Sequence, residues 1–313
     1  MAEVSSRKDQ SLRPFLKWAG GKTQLLGEIE KKVIPFLEAR APIIYVEPFI
    51  GSGAVFFFLL KNYRQRIKQA IISDINADLI NLYQVIRDQP RALIVELANL
   101  EKQYFTYATE AERKIFFLES RAAFNALEHM PLQKSALLLF LNKTCFNGLY
   151  RVNSKGKFNV PFGKYQHPTI CNTAVILADS EALQGVEILH ADFEETRAYI
   201  NQQTFIYLDP PYKPISSTSS FNTYAKEGFE DADQIRLKKF CDEINAQGAY
   251  FVLSNSDTTA GPEHNFFQSL YSEYTINRVK AKRAINSNGK ARGEISELLI
   301  ANDNVLKEFI PVK

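Results

Sequence analysis

The chain has 313 residues, 45% hydrophobic and 23% charged, with a formal net charge of +3. That balance is ordinary for a soluble globular protein with a real core, built as one large domain or as one domain carrying an insertion. Three cysteines, Cys145, Cys171 and Cys241, fall in no CxxC or Cys/His spacing. This argues against a disulfide framework or a metal site and for a reducing, cytoplasmic setting.

The polar start, MAEVSSRKDQSLR, lacks the apolar run of a secretory signal. The longest apolar run, Val55–Leu60, is too short to span a bilayer, so no membrane association is expected. FLKWAGGKT (15–23) tempts one towards a phosphate-binding loop, but that motif needs a glycine where Leu16 stands. Beyond it, Ile43–Val46 and Ala70–Ser73 read as short buried strands ending at Glu47 and Asp74, each followed by a helix. The pattern returns later. Val186–Leu189 ends near Asp192, Phe205–Leu208 ends at Asp209, and Tyr250–Leu253 ends at Ser254 and Asn255. Apolar strands alternating with helices predict an α/β chain with a mostly parallel sheet. Ligands of such sheets sit at the carboxyl ends of the strands, where these polar residues gather.

Between about residue 83 and residue 170 the rhythm breaks. Pro90 to Cys145 is helical in pattern, and then FNGLYRVNSKGKFNVPFGKY reads as a β-hairpin with Ser154-Lys155-Gly156 at its tip. We therefore divide the chain into a sheet domain of residues 1–82 and 171–313 and an inserted domain of residues 83–170. Five basic residues and no acid lie between Lys143 and Pro168, and six basic residues and no acid between Tyr274 and Gly293. Two basic stretches in a nearly neutral chain suggest a polyanionic partner.

EPFIGSGAVFF (47–57) places Gly51 and Gly53 between strand and helix, where a ligand can approach the backbone. The dinucleotide fingerprint is incomplete, because Phe56 stands at its third glycine. Asp74 is about 20 residues on, the spacing of a carboxylate that grips a ribose diol. A nucleoside cofactor other than NAD fits best. The sole tryptophan, Trp18, in a glycine-containing loop suggests stacking on a planar group. Four histidines are scattered along the chain and suggest no metal site.

Taken in order, FLKWAGGK, EPFIGSG, SDIN (73–76), NGLYRVNSKGKFNVPFGKY (147–165), HADF (190–193) and DPPY (209–212) resemble the motifs of the Dam-like, D12 class DNA adenine-N6 methyltransferases. The likeness runs from about Pro14 to Asn302. It implies a Rossmann-like sheet that uses S-adenosylmethionine, with an inserted, mainly helical target-recognition domain. It also implies a cytoplasmic enzyme that acts as a monomer on double-stranded DNA. Trp18, Lys22, Phe49, Gly51, Gly53, Asp74, Asp192 and Phe193 would contact the cofactor. Asp192 has a simpler alternative role, as the N-cap of the helix that runs through Arg197.

Asp209, Pro210, Pro211 and Tyr212 would be catalytic. Adenine N6 is a poor nucleophile because its lone pair is delocalised into the ring. Acceptors for both amino hydrogens, the Asp209 carboxylate and the Pro210 carbonyl, would localise that pair, while the prolines add no competing N–H. Tyr212 offers a face to a base flipped out of the duplex.

For the target, the resemblance implies GATC. Arg151 would read a guanine, Leu149 and Pro161 would pack on the thymine methyl, and Phe146 and Asn147 would enter the stack. Lys17 and Tyr165 would contact the outer base pair. Two positions depart from the family: Lys143 stands where an arginine is expected, suiting a phosphate, and Phe146 where a tyrosine is common. Alternatives are the same chemistry on RNA or on protein glutamine, a non-catalytic DNA-binding module and, more remotely, a nicotinamide-dependent dehydrogenase. A final expectation is that the loop Lys213–Tyr224 orders only with DNA.

Overall fold

A computed structural model describes residues 11–18, 22–212, 229–257, 265–282, 294–303 and 306. Five parallel strands form the body of its sheet: β1 (Ile43–Glu47), β2 (Ile67–Asp74), β3 (Glu187–His190), β4 (Thr204–Leu208) and β5 (Tyr250–Ser256). An antiparallel pair, β6 (Thr275–Lys282) and β7 (Glu294–Ala301), extends it. The order is β3-β2-β1-β4-β5-β7-β6. The chain leaves β1 towards β2 and β3, then returns to the other side of β1 with β4. β1 and β4, paired through Val46 and Ile206, therefore flank the switch point, and ligands of open α/β sheets bind beyond the carboxyl ends of the strands there.

Alternation along the strands divides the core between the two faces of the sheet. Ile43, Tyr45, Phe205, Tyr207 and Tyr250 join one core, against α1 (Leu26–Arg40), α2 (Ala54–Tyr63) and α3 (Ala77–Asp88). Ile44, Val46, Ile206, Leu208 and Phe251 join the other, against α8 (Asp231–Ala246). After α3 come the helices α4 (Pro90–Thr106), α5 (Glu110–Ala126) and α6 (Pro131–Thr144), as the break in rhythm predicts. α7 (Thr173–Ala182) then leads back to β3, and α9 (Phe266–Leu270) precedes β6.

The expected hairpin differs from its reading. Residues 145–165 fold back on themselves, but only the antiparallel bridges Cys145–Phe162 and Val152–Phe158 form, with no continuous strands. Tyr150, Phe158, Val160 and Phe162 are buried in the first core. Side-chain packing on the helices, rather than a ladder, thus sets the shape of this loop. The segment Lys213–Tyr224 lies outside the described residues, as do Ala19, Gly20, Gly21, Arg283, Lys290 and Arg292.

Candidate active site and nucleic-acid interface

β4 delivers Asp209 to the switch point. Lys22 Nζ lies 2.8 Å from Asp209 Oδ1, and the Ser254 hydroxyl, from β5, donates to the same oxygen at 2.9 Å. Among the described residues both bonds fall on Oδ1, so Oδ2 is the oxygen placed to accept from a ligand. Burial raises the Asp209 carboxyl above its ordinary value, and Lys22 and Ser254 oppose that shift. Lys22 is itself buried and sits 4.4 Å from the centroid of the Tyr212 ring. The Tyr212 hydroxyl donates to Glu297 of β7 at 2.5 Å, which anchors the ring after two prolines. Beneath them Glu47 is buried and accepts from the Tyr45 hydroxyl at 2.5 Å. Burial pushes its carboxyl well up, and the nearby charge of Asp209 adds to the shift.

On the neighbouring strand end, Gly51 (φ 47°) and Gly53 (φ 70°) make the turn into α2. A Cβ on Gly53 would lie 2.7 Å from the Tyr83 hydroxyl, so only glycine fits there. Asp74 accepts the Gly51 N–H at 3.2 Å and the Asn76 N–H at 2.9 Å, tying the glycine turn to the end of β2. Burial lifts its carboxyl to about 6 against the pull of these two donors. Ile75, between Asp74 and Asn76, is 64% exposed. A large aliphatic side chain left open on this rim is a contact surface; it lies within SDIN, a motif whose reading assigns a role to Asp74 alone.

Phe49 packs on Phe193 with ring centroids 5.5 Å apart, and Phe193 is buried in the second core. Asp192 receives a two-pronged ion pair from Arg236 of α8 at 2.8 and 3.0 Å, and it also caps the turn Phe193–Tyr199 by accepting the Glu194 N–H. The cap foreseen for the helical turn through Arg197 is therefore present, and Arg197 itself pairs with Glu243 at 2.6 Å.

The loop after α6 carries the residues expected to read DNA. Asn147 adopts φ 55° and donates its N–H to the Tyr165 hydroxyl at 3.1 Å, while Lys17 Nζ lies 5.3 Å from the centroid of that ring. Phe146 is 46% exposed and its N–H donates to the Pro161 carbonyl. Leu149 packs on the core, whereas Pro161 is exposed. Arg151 donates through Nε to Asn159 Oδ1 at 2.7 Å and through Nη2 to the Asn159 carbonyl at 3.4 Å. Asn159 thereby fixes the guanidinium plane.

Lys143 lines a cleft of about 490 Å³ with Arg13, Lys17, Tyr165 and His167. Burial, then the charges of Lys17 and Arg13, push its ammonium down to about 8. In the second basic stretch Arg278 pairs with Asp257 at 3.2 Å.

One residue absent from every motif joins the two halves of the site. Buried Asn142, near the end of α6, accepts the Lys17 N–H at 2.9 Å and donates to the carbonyls of Lys17 and Gly148 at 2.8 and 2.9 Å. Asn142→Ala would strand these main-chain groups at about 1–3 kcal/mol each. We expect the variant to lose roughly 3 kcal/mol or more of unfolding free energy, read by urea denaturation.

The switch point of an open parallel sheet, with a glycine turn on one strand end and an acid-proline segment on the next, defines a Rossmann-like enzyme of mixed α/β class. Residues 18–285 match the family model for D12 class N6 adenine-specific DNA methyltransferases, and the chain belongs to that family. It is 45% identical over 294 residues to the "Type II methyltransferase M.MjaIII" of Methanocaldococcus jannaschii, covering 93% of this chain and 99% of that one. It is 37% identical over 288 residues to a "DNA adenine methylase" of Vibrio cholerae, covering 92% and 95%. Among solved structures, an "rRNA methyltransferase" from Streptomyces viridochromogenes covers 98% of this chain and 96% of its own at 16% identity, with a TM-score of only 0.39.

Among the described residues no cluster of His, Cys, Asp and Glu is disposed to hold a metal. No helix among them is long and apolar enough to cross a membrane.

Proposed function

We propose that this adenine methyltransferase moves a methyl group from S-adenosylmethionine to N6 of an adenine flipped out of duplex DNA, within GATC. The observation that carries the reading is the seating of Asp209 and Tyr212 beside Lys22, Ser254 and Glu297, next to the glycine turn held by Asp74. S-adenosylmethionine supplies an activated methyl on a sulfonium. The residues fit a nucleoside of that kind: a turn that admits only glycine, a rim carboxylate for a diol, and an exposed aliphatic surface at Ile75.

In this reading Oδ2 of Asp209 and the carbonyl of Pro210 accept the two amino hydrogens of adenine, which localises the N6 lone pair. Tyr212 stacks on the base. Lys22 and Ser254 keep Asp209 turned towards it, and Glu297 keeps the Tyr212 ring in place. As N6 becomes methylated it gives up a proton. Asp209, with its carboxyl raised by burial, is the group placed to receive it.

Residues 83–170 act as the target-recognition part and residues 1–82 with 171–313 as the catalytic part, in a cytoplasmic monomer. The basic cleft around Lys143, Lys17 and Arg13 favours a nucleic acid over a protein glutamine as substrate.

The test is transfer of labelled methyl to matched duplexes with GATC present or scrambled. Label on adenine N6 only with GATC supports the whole reading. Equal label on both keeps the chemistry and removes the GATC assignment, and label on RNA alone removes the DNA substrate.

Asp74 adds a prediction about pH. Its carboxylate accepts from a ribose diol, its acid form does so poorly, and burial sets the change at about 6. Binding that favours the ionised form weakens as pH falls through that value. Affinity for sinefungin, a non-reactive analogue of the cofactor, should drop by up to about tenfold for each pH unit below about 6 and level off above about 7. Calorimetry across this range should show a flat profile for Asp74→Asn.

A further inference from the structure

The recognition loop and the cofactor loops meet at a side chain that neither set of motifs assigns. Tyr150 lies between Leu149 and Arg151 in sequence, yet it is 5% exposed and turns away from them into the protein. Its ring stacks on Trp18, with centroids 5.3 Å apart and planes inclined by 23°. Trp18 in turn covers the glycine turn, since a Cβ on Gly51 would stand 3.0 Å from its Cδ1. The Gly51 N–H donates to Asp74. A second line runs from the Tyr150 hydroxyl, which donates to Asp78 Oδ2 at 3.0 Å. Asp78 sits in the first turn of α3, directly after the SDIN segment, and is also paired at 2.7 Å with Lys134 of α6.

Packing alone does not call for this arrangement. A phenylalanine would supply the same ring, and burying a hydroxyl is unfavourable unless it is bonded. Burial and the Asp78 carboxylate both push the phenol up, so it remains a donor. The hydroxyl therefore adds a directional tie between the loop that carries Arg151 and the helix that begins beside Asp74.

We propose that Tyr150 is a positioning residue that couples engagement of the target sequence to the grip on the cofactor. It rests on the function proposed above. When Leu149 and Arg151 seat against a duplex, Tyr150 moves with them, carrying Trp18 over Gly51 and α3 at Asp78. Binding at the recognition loop then changes the affinity of the cofactor loops, and reciprocally.

The test is titration of sinefungin into the protein, with and without a saturating GATC duplex. In the wild type the duplex should tighten sinefungin by about 5- to 50-fold, within the usual range of coupling between sites. Tyr150→Leu should keep both separate affinities and bring the ratio close to one. Tyr150→Phe and Asp78→Ala cut the same hydroxyl bond from opposite ends. Each should lower the ratio, and the double variant should lower it no further. These two keep the ring and the cap, so they decide the matter if Tyr150→Leu does not fold.

Trp18, as the sole tryptophan, gives a direct readout. Its emission should shift on adding duplex alone in the wild type, and less in Tyr150→Phe. A ratio unchanged in Tyr150→Phe and Asp78→Ala overturns the proposal, as does loss of sinefungin affinity without change in the ratio, the mark of a purely structural residue. A wild type that binds both ligands without coupling overturns this inference alone. One that binds neither overturns the proposed function as well.

Discussion

Asp209→Ala should lower methyl transfer by on the order of 10³-fold, with sinefungin still bound, measured as single-turnover transfer to a GATC duplex. The expectation rests on one oxygen. Lys22 and Ser254 hold Oδ1, which turns Oδ2 towards the substrate. Alanine leaves the Pro210 carbonyl as the lone acceptor for an amino group that must give up both hydrogens to acceptors.

The variant also removes the ion-pair partner of Lys22, whose side chain is 4% exposed against 20% for Asp209. Breaking a buried ion pair costs roughly 3–5 kcal/mol, and the partial exposure of Asp209 places this one at or below the low end. A fall in activity could therefore be confused with a fall in stability. Pairing the change with Lys22→Met removes the buried ammonium that has lost its carboxylate, so the double variant should melt closer to the wild type and remain inactive. Recovery of activity along with stability would remove Asp209 from the chemistry.

Why the strand ends were legible and their partners were not follows from the reach of each interaction. β1, β2, β4 and β5 are buried apolar runs that stop at a polar residue, and such runs announce both a parallel sheet and its functional edge. β6 and β7 carry charges at Arg278, Lys280 and Glu297, the pattern of antiparallel strands near a sheet edge, which resembles a polar helix or loop as much as a strand. With β7 went Glu297, the partner of Tyr212.

Asn142 was hidden for another reason. Its bonds to Lys17 span 125 residues, and an asparagine within an apolar helix shows no such destination in the sequence. Arg236 is a similar case, an ordinary surface residue until the fold brings it to Asp192 across 44 residues. The over-regular reading of the hairpin has a related origin. Its alternating pattern is real, but Tyr150, Phe158, Val160 and Phe162 use it to pack on the helices rather than to form a ladder.

Arg151→Ala should reduce discrimination between GATC and a duplex altered at its guanine by roughly 10- to 100-fold, the loss expected for a two-pronged guanine contact worth about 1–3 kcal/mol. Transfer to the altered duplex should hardly change, because the arginine gains its contact only from the correct base. Asn159 orients the guanidinium through Nε and Nη2, so Asn159→Ala should move discrimination in the same direction by a smaller amount.

Lys143→Ala makes the contrast. A lysine in a cleft with Arg13 and Lys17 suits a phosphate, which every duplex presents alike. Its loss should weaken all duplexes evenly and flatten the salt dependence by about one counterion. With its ammonium pushed down to about 8, Lys143 sheds charge as pH rises through that value, so the wild type should lose affinity there and the variant should not. Measuring kcat/KM on matched and altered duplexes at two salt concentrations separates the roles. If Arg151→Ala behaves as Lys143→Ala is expected to, Arg151 is a backbone contact and the guanine is read elsewhere in the loop.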